Sequence, residues 1–409
     1  MTTQSTTAIR RISFGRAIAV TGFEAGWIAL MVAVYAQTHS TVWMSAALFV
    51  VIGTSGVAAP VAGALGDRYD RRRVMVVSEL VAAVFACAMV LTSSPPVLIA
   101  LAAMVGLAEA PFMPASSAAV PNLVPETRLE WANSTLAIGR NTGQLIGPLV
   151  GGVLVAATGA RTVFALSAVA FVLCAAIVGS VSGRFSDVRT PAERGQSSEV
   201  RAGFVAVWQS PVLRGIAAAW MVFLFMLGPI LVAELPLAHE FGQGAAGYGA
   251  IAACWGGGSI LGSFLGRRTA RISEGRSMVW GCVLTGTGFA TVAIAPVFAF
   301  ALTGMILAGL ADGTVTVSEM TIIQRCTSDH VRSRVNAAID TITAAAFALS
   351  FPAAGFLINL LGVRGAYWMA AVGCWLAALI LVPAMRALKR QPADAGSSPT
   401  PSPVGTVAR

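Results

Sequence analysis

A chain of 409 residues that is 56% hydrophobic and only 11% charged is too apolar for an ordinary soluble domain and must be solvated by lipid. Its net charge of +9 invites a nucleic-acid reading, but the positions of the basic residues oppose it: nearly all fall in the termini and in alternate loops between apolar runs. The six cysteines offer no pair with ligand spacing; Cys87, Cys174, Cys254, Cys282 and Cys374 sit singly in separate runs and Cys326 in a loop, so they read as small apolar residues.

Twelve runs are long enough to cross a hydrocarbon core. They cover 14–37, 43–65, 74–93, 97–120, 132–158, 162–181, 215–238, 245–265, 278–295, 297–319, 335–359 and 366–387. Of the 27 lysines and arginines, only Arg161 and Arg364 fall in the odd-numbered loops and only Arg140 in the interior of a run, Arg16 and Arg386 standing at run ends, so both termini are expected in the cytoplasm. The expectation is an all-α membrane protein with 12 transmembrane helices. It divides into a six-helix unit over 1–181, a cytoplasmic linker over 182–214, a second six-helix unit over 215–387 and a disordered tail over 388–409.

Residues 1–12 are polar and read as frayed, with Arg10, Arg11 and Arg16 ahead of the first span. That span is too long for a signal-peptide core and lacks a clean small-residue cleavage site, so it is expected to remain as a helix. It carries Glu24 near mid-membrane, and Trp43 follows as an interfacial anchor. The loop after span two reads Gly63-Ala64-Leu65-Gly66-Asp67-Arg68-Tyr69-Asp70-Arg71-Arg72-Arg73. Its arginines hold it in the cytoplasm, and Asp67 can bond helix-end amides or an arginine. Span four holds Glu109, and Pro121 to Glu126 then lead to Trp131-Ala132-Asn133-Ser134 and span five. There Gly143, Gly147, Pro148, Gly151 and Gly152 offer a groove for close helix approach and remove one helix hydrogen bond, which reads as a hinge or seal beyond simple packing. In the linker, Glu199 to Leu213 suits either an amphipathic helix on the inner leaflet or a disordered connector.

The second half repeats the first. Gly262 to Arg268 falls about 200 residues after Gly63 to Tyr69, Val331 to Ala337 resembles Leu129 to Ser134, and Leu361-Gly362-Val363-Arg364 echoes Thr158-Gly159-Ala160-Arg161. Pro352 and Gly355 match Pro148 and Gly151, while the other span-five glycines have no counterpart. Spans seven and ten carry Glu234, nearer the outer end, and Asp312; Glu319 and Asp340 lie nearer the cytoplasm, within reach of Arg325, Arg332 or Arg334. Tryptophans 27, 220, 255 and 375 lie inside spans, where packing or lipid contact is the commoner role and a cavity lining the alternative. His39, His239 and His330 do not cluster, which gives no sign of a relay or a metal site.

The 2–3 loop resembles the signature loop of the major facilitator superfamily at Gly63, Leu65, Asp67, Arg68, Arg71 and Arg72, with Asp70 where glycine is usual. The span-five stretch is similar to that superfamily's antiporter motif at Gly143, Gly147, Pro148, Gly151 and Gly152. The Pro121–Glu126 link and the Ala132-Asn133-Ser134 stretch resemble the twelve-helix drug/proton antiporter branch that includes the enterobactin exporter and macrolide-efflux proteins. One feature departs: Ala102 stands where many drug antiporters carry an arginine, and Arg140 is the candidate substitute.

The resemblance implies that spans one, four, seven and ten face a common cavity, so that Glu24, Glu109, Glu234 and Asp312, with Arg140, are candidates for proton coupling and substrate binding. Each intramembrane charge costs roughly 2.5–3.5 kcal/mol on insertion scales, so each needs a reason. Structural pairing with neighbouring helices is the alternative. The implied activity is proton-coupled efflux of a drug-like or natural-product amphiphile across a bacterial cytoplasmic membrane, as an antibiotic-resistance exporter would perform it. Four acids against one arginine favour a cationic or polar substrate; a macrolide or siderophore stays open, as do symport and a non-transporting receptor or assembly factor on the same fold. The expected partners are the substrate, protons and lipid, with no nucleic acid and a monomeric chain. No phosphate loop, metal-spaced set or nucleophile–base arrangement points to an enzyme or a cofactor, and the proton motive force is the expected energy source.

Overall fold

The computed structural model describes residues 3–183, 185, 196–327 and 329–390. The elements are α1 (Thr3–Thr38), α2 (Thr41–Arg68), α3 (Arg71–Val90), α4 (Pro95–Glu109), α5 (Phe112–Leu123), a 3-10 turn (Glu126–Arg128), α6 (Leu129–Thr158), α7 (Ala160–Gly179), α8 (Gln196–Gln209), α9 (Pro211–Glu240), α10 (Gly244–Ala293), α11 (Phe298–Cys326) and α12 (Asp329–Arg390). Local chemistry fixes several starts: Asp70 accepts from the Arg73 amide at 3.0 Å, Ser210 accepts from Leu213, and Pro95 and Pro211 occupy first-turn positions.

These elements make twelve passes. Eight helical stretches among the described residues are long and apolar enough to cross a membrane, and the longest, Arg334–Leu388, turns at Gly362 and so crosses twice. The 274–293 limb of α10, beyond the extended backbone of Ser273, is a further pass, and α2 and α6 complete the set. α4 and α5 form one apolar span, Pro95–Leu123, matching the single run expected over 97–120; Pro111 interrupts only its hydrogen-bond ladder, beside Glu109, while Ala110 and Pro111 keep right-handed helical backbone. Val84, Leu173 and Leu379 point outward, as a lipid-solvated surface requires.

The first helix corrects the sequence reading. Residues 3–12 are not frayed: they are the first turns of α1, with Ile9 and Ile12 buried and Thr6 accepting from Arg128. Arg16 therefore lies within the helix instead of preceding it. Of the linker, residues 196–209 form α8, with Val207 packed among Leu213 and Val335 and Trp208 exposed; residues 184 and 186–195 lie outside the described residues. The expected disordered tail starts late, because α12 runs to Arg390, and residues 391–409 are likewise outside the description.

The repeat is carried in the turns. Gly159 and Gly362 have φ of 84° and 76°, a region where a side chain would be strained, and each precedes an arginine by two residues. Arg161 donates to Ser93 Oγ at 2.7 Å in the connection between α3 and α4, and Arg364 donates to Ala295 O at 2.8 Å in the connection between α10 and α11. The same device thus pins the same loop in each half.

The halves meet through α6 on α10 and α2 on α12. With the termini inside, these contacts lie toward the outer face. A β-carbon on Gly249 would stand 2.5 Å from Pro148 O, and one on Gly355 would stand 2.7 Å from Val42 Cα. Thr41 Oγ1 donates to Asn359 Oδ1 at 3.1 Å, and the Tyr35 and His239 rings are 5.5 Å apart. The outer end is sealed by backbone-to-backbone contact.

A candidate transport cavity and a buried charge network

The glycines of α6 set where Glu24 can go. At four-residue spacing, Gly139, Gly143, Gly147 and Gly151 lie on α1, where added β-carbons would meet Ser13, Val20, Glu24 and Ala25; the Gly147 position is 2.5 Å from Glu24 Cβ. Gly152 points the other way, 2.7 Å from Ala245 O on α10. One motif therefore serves two faces: Gly143, Gly147 and Gly151, extended by Gly139, pack on α1 within the half, and Gly152 closes the seam between halves. α6 remains a continuous helix through Pro148.

Between the halves lies a cavity of about 790 Å³. Its walls include Glu24, Trp27, Asn141 and Gln144 from the first half and Glu234, Tyr248, Trp255, Ser259 and Phe347 from the second. Among its described lining residues are two carboxyl groups and no lysine or arginine. A second cavity of about 310 Å³ is lined by Arg16, Phe23, Glu109, Met113 and Arg140, and it shares Glu24 and Gln144 with the first. Glu24 therefore stands in the wall common to both.

Glu109 ends α4 at the Pro111 break, and its Oε2 accepts from Arg16 Nη1 at 2.6 Å. The same nitrogen lies 3.3 Å from Glu79 Oε1 on α3, which also accepts from Cys174 Sγ at 3.3 Å. The Phe112 ring covers the guanidinium at 4.5 Å. Glu79 is 0% exposed, Glu109 8% and Arg16 9%. Two carboxyl groups on one guanidinium, in a place this dry, form a high-energy arrangement that is stable only while the partners stay together.

The predicted residues divide by position. Glu24, Glu109, Glu234 and Arg140 line the connected cavities, whereas Asp312 lines neither: it sits beside Trp220, Cys282 and Thr285 and reaches the central cavity only through Ser259 Oγ, which donates to it at 3.2 Å. Trp27 and Trp255 line the cavity, while Trp220 and Trp375 are structural, donating to Glu319 Oε1 and Val283 O. Glu319 accepts from the Trp220 indole at 2.6 Å, and Arg325 pairs with Glu274 at 2.8 Å.

In the 2–3 loop, Arg71 is buried and donates to Ala118 O and Phe185 O, Arg72 is half-buried, and Arg68 lies over the Tyr69 ring. The side chains at Gly63 and Asp67 lie outside the described residues. Tyr69 and Asp70 both have negative φ, so the turn is made without glycine at Asp70.

Two residues were missed. Arg16 and Glu79 lie inside the marked runs 14–37 and 74–93, and a charge within an apolar run was the signal that should have found them. They also correct the tally of buried charges, since Arg16, and not Arg140 alone, is an intramembrane arginine. Arg140 lines the inner cavity with a buried Nε that has no hydrogen-bond partner.

Two repeated six-pass halves around a mid-membrane cavity form the architecture of a secondary transporter. The family profile described as Major Facilitator Superfamily matches residues 12–272 and 224–407, and the chain belongs to that superfamily. It is a membrane transporter and not an enzyme. Relatives include an uncharacterized transporter of the same type, YfiS of Bacillus subtilis (27% identical over 358 residues, covering 84% of this chain and 83% of the relative). Another is the multidrug efflux pump Tap of Mycolicibacterium fortuitum, 26% identical over 371 residues, covering 86% and 88%. Among solved structures, an inward-facing, unoccupied bacterial homologue of the human lysosomal transporter Spinster superposes with a TM-score of 0.78 at 13% identity, covering 98% of this chain and 100% of that one.

Proposed function

We propose that the chain is a proton-coupled antiporter that exports a cationic or polar amphiphile from the bacterial cytoplasm by alternating access, and that it works as a monomer in the cytoplasmic membrane. The observation that carries this reading is the pair of connected cavities with Glu24 in their common wall. The larger is built for an amphiphile: indole and phenyl surface from Trp27, Trp255 and Phe347, and carboxyl groups from Glu24 and Glu234, with no lysine or arginine among its described lining residues. The smaller ends on Glu109, whose carboxyl is held by Arg16 and faces space that water can fill.

In this reading Glu109 exchanges protons, Glu24 feels both proton and substrate, and Glu234 anchors the substrate from the opposite half. Arg140 supplies a second positive charge to the inner cavity. Asp312 acts on the cavity only through Ser259. The 1–181 and 215–387 units rock about the cavity, joined by 182–214, with Gly152 of span five at the seam against Gly249 and the 2–3 loop as the inner brace. The proton motive force drives the cycle and no cofactor takes part. The name of the Tap pump supports a drug-like substrate, which fits a resistance role.

The test uses inside-out vesicles containing the full chain, energised acid inside, with lumenal pH followed as the lipophilic cation tetraphenylphosphonium is added. Proton antiport raises lumenal pH on addition, and Glu109→Gln abolishes the response. No response across a panel of amphiphiles, with folded protein confirmed, rejects the reading in favour of symport, uniport or a non-transport role.

A further inference from the structure

The Arg16 network contains more bonding capacity than it uses. Arg16 Nε, Glu79 Oε2 and Glu109 Oε1 are all buried and have no hydrogen-bond partner, although each belongs to a charged group within reach of the others. A buried polar atom left unpaired is costly, more so on a charged group, and three in one cluster point to a second arrangement that employs them. The geometry of the groups supplies one. A guanidinium offers Nε and Nη as a fork, and a carboxylate accepts both prongs. Turned fully onto Glu79, Arg16 would use its own idle Nε and the idle Oε2 of Glu79 together. Glu109 would then be released at the wall of the inner cavity.

The two carboxyl groups are suited to unequal roles. Glu79 has no access to water and is fixed by the Cys174 thiol, whereas Glu109 lines the inner cavity. We propose that Arg16 is handed from Glu109 to Glu79 whenever Glu109 takes a proton from the inner cavity. Glu79 is the positioning residue that keeps the guanidinium paired while Glu109 is neutral. The step balances simply: one proton moves from cavity water to the Glu109 carboxylate, Arg16 stays a cation, and no covalent bond other than the new O–H is made. This rests on the proposed role of Glu109 as the proton-exchanging group. The titratable groups around it are Arg16 and Glu24 from α1, Glu79 from α3, Arg140 from α6 and Cys174 from α7; α5 has none, and those of α2, Asp67 and Arg68, lie at its cytoplasmic end.

Cys174 makes the hand-over visible. Its thiol donates to the same Glu79 oxygen that receives Arg16, so a guanidinium moving onto Glu79 weakens that S–H bond. The experiment is an infrared pH titration of the purified full chain in lipid nanodiscs. It follows the protonated-carboxyl band, assigned by its loss in Glu109→Gln, and the S–H stretch, assigned by its loss in Cys174→Ala. The expected result is that both bands move together with one midpoint. In Glu79→Gln the carboxyl midpoint should fall by about one pH unit, a tenfold loss of proton affinity, because Arg16 has no other anion and stays on Glu109. A Glu109 band that titrates while the S–H stretch stays fixed overturns the hand-over, whatever Glu79→Gln does, because removing a nearby negative charge lowers the midpoint by itself. The S–H readout on the unmodified chain also stands if Glu79→Gln fails to fold. Absence of a Glu109 band at any pH overturns it equally. Vesicle antiport that persists beside a fixed S–H band rejects only the hand-over; coupled bands without vesicle antiport reject only the antiport reading.

Discussion

Replacing Gly249 with alanine tests whether the outer seam is as tight as its geometry implies. The new β-carbon would stand 2.5 Å from Pro148 O and 3.1 Å from Gly152 Cα, both backbone atoms of α6 that cannot rotate away. Restoring ordinary contact at 3.4 Å requires α6 and α10 to separate by about 0.9 Å. Overpacking of this kind costs about 1–3 kcal/mol. Only the conformer in which the two helices touch bears that cost, so the ratio of outer-closed to outer-open protein should fall by about 5- to 150-fold. Thr41→Cys with Asn359→Cys, in a background lacking the six native cysteines, reports the closed state through a short thiol cross-linker, because those side chains are 3.1 Å apart across the seam. Gly53→Ala is the control, since a β-carbon there meets nothing within 4 Å. Equal cross-linking in Gly249→Ala and the control would refute the argument that backbone contact at this crossing sets the closed state.

Four further outcomes follow from single contacts. Gly152→Ala, which brings a β-carbon to 2.7 Å from Ala245 O, should reduce cross-linking as Gly249→Ala does, whereas Gly143→Ala, which presses on α1 within one half, should lower thermal stability in detergent without changing the closed fraction. Arg71→Ala removes buried charged donors from Ala118 O and Phe185 O and should cost about 2–5 kcal/mol of first-half stability, measured as a lowered melting temperature; Arg71→Lys should recover part of it. Trp220→Phe takes the donor from Glu319 and should destabilise by about 1–3 kcal/mol while leaving tetraphenylphosphonium affinity unchanged, because neither residue lines the central cavity. In binding measured by scintillation proximity, Glu234→Gln should weaken that cation by about tenfold, the loss of one charge contact, and Asp312→Asn by less than about threefold, because Asp312 is shielded by Ser259. Equal losses in the two variants would show that Asp312 meets the substrate directly.

The parts that were legible in the sequence are those a local pattern determines. Apolar length located the passes, basic loops oriented them, and glycines at four-residue spacing marked a helix surface that another backbone touches. Grouping Arg16 with Arg10 and Arg11 ahead of span one hid it, because a polar stretch that packs its Ile9 and Ile12 looks like a frayed terminus until its neighbours are known. Glu79 went unremarked among apolar residues of α3 because its partners lie 63 residues earlier, on α1, and 95 residues later, on α7. The split of the span-five motif between two faces was out of reach for the same reason: Gly151 and Gly152 are adjacent in sequence, and only the positions of α1 and α10 distinguish them. Asp312 shows the opposite failure, where helix position suggested the cavity and the rotation of α11 placed Ser259 in between.

The asymmetry of the halves limits how coupling can work. The turns at Gly159 and Gly362 retain the repeat in detail, yet Arg16, Glu79, Glu109 and Cys174 all belong to the first half, on α1, α3, α4 and α7. About 200 residues after Arg16, Arg214 stays at the start of α9, donating to Trp208 O, and about 200 residues after Glu79 stands Met278, which is fully buried. A rocking motion between the halves therefore leaves the charge network intact as a unit, and it cannot act by pulling those charges apart. What it would change is the space in front of Glu109, which shares Glu24 and Gln144 with the wall of the central cavity. In the proposed cycle, a cation filling the central cavity and a proton entering the inner one would compete through that shared wall, and Glu24, which borders both cavities, would be the position where the two events meet.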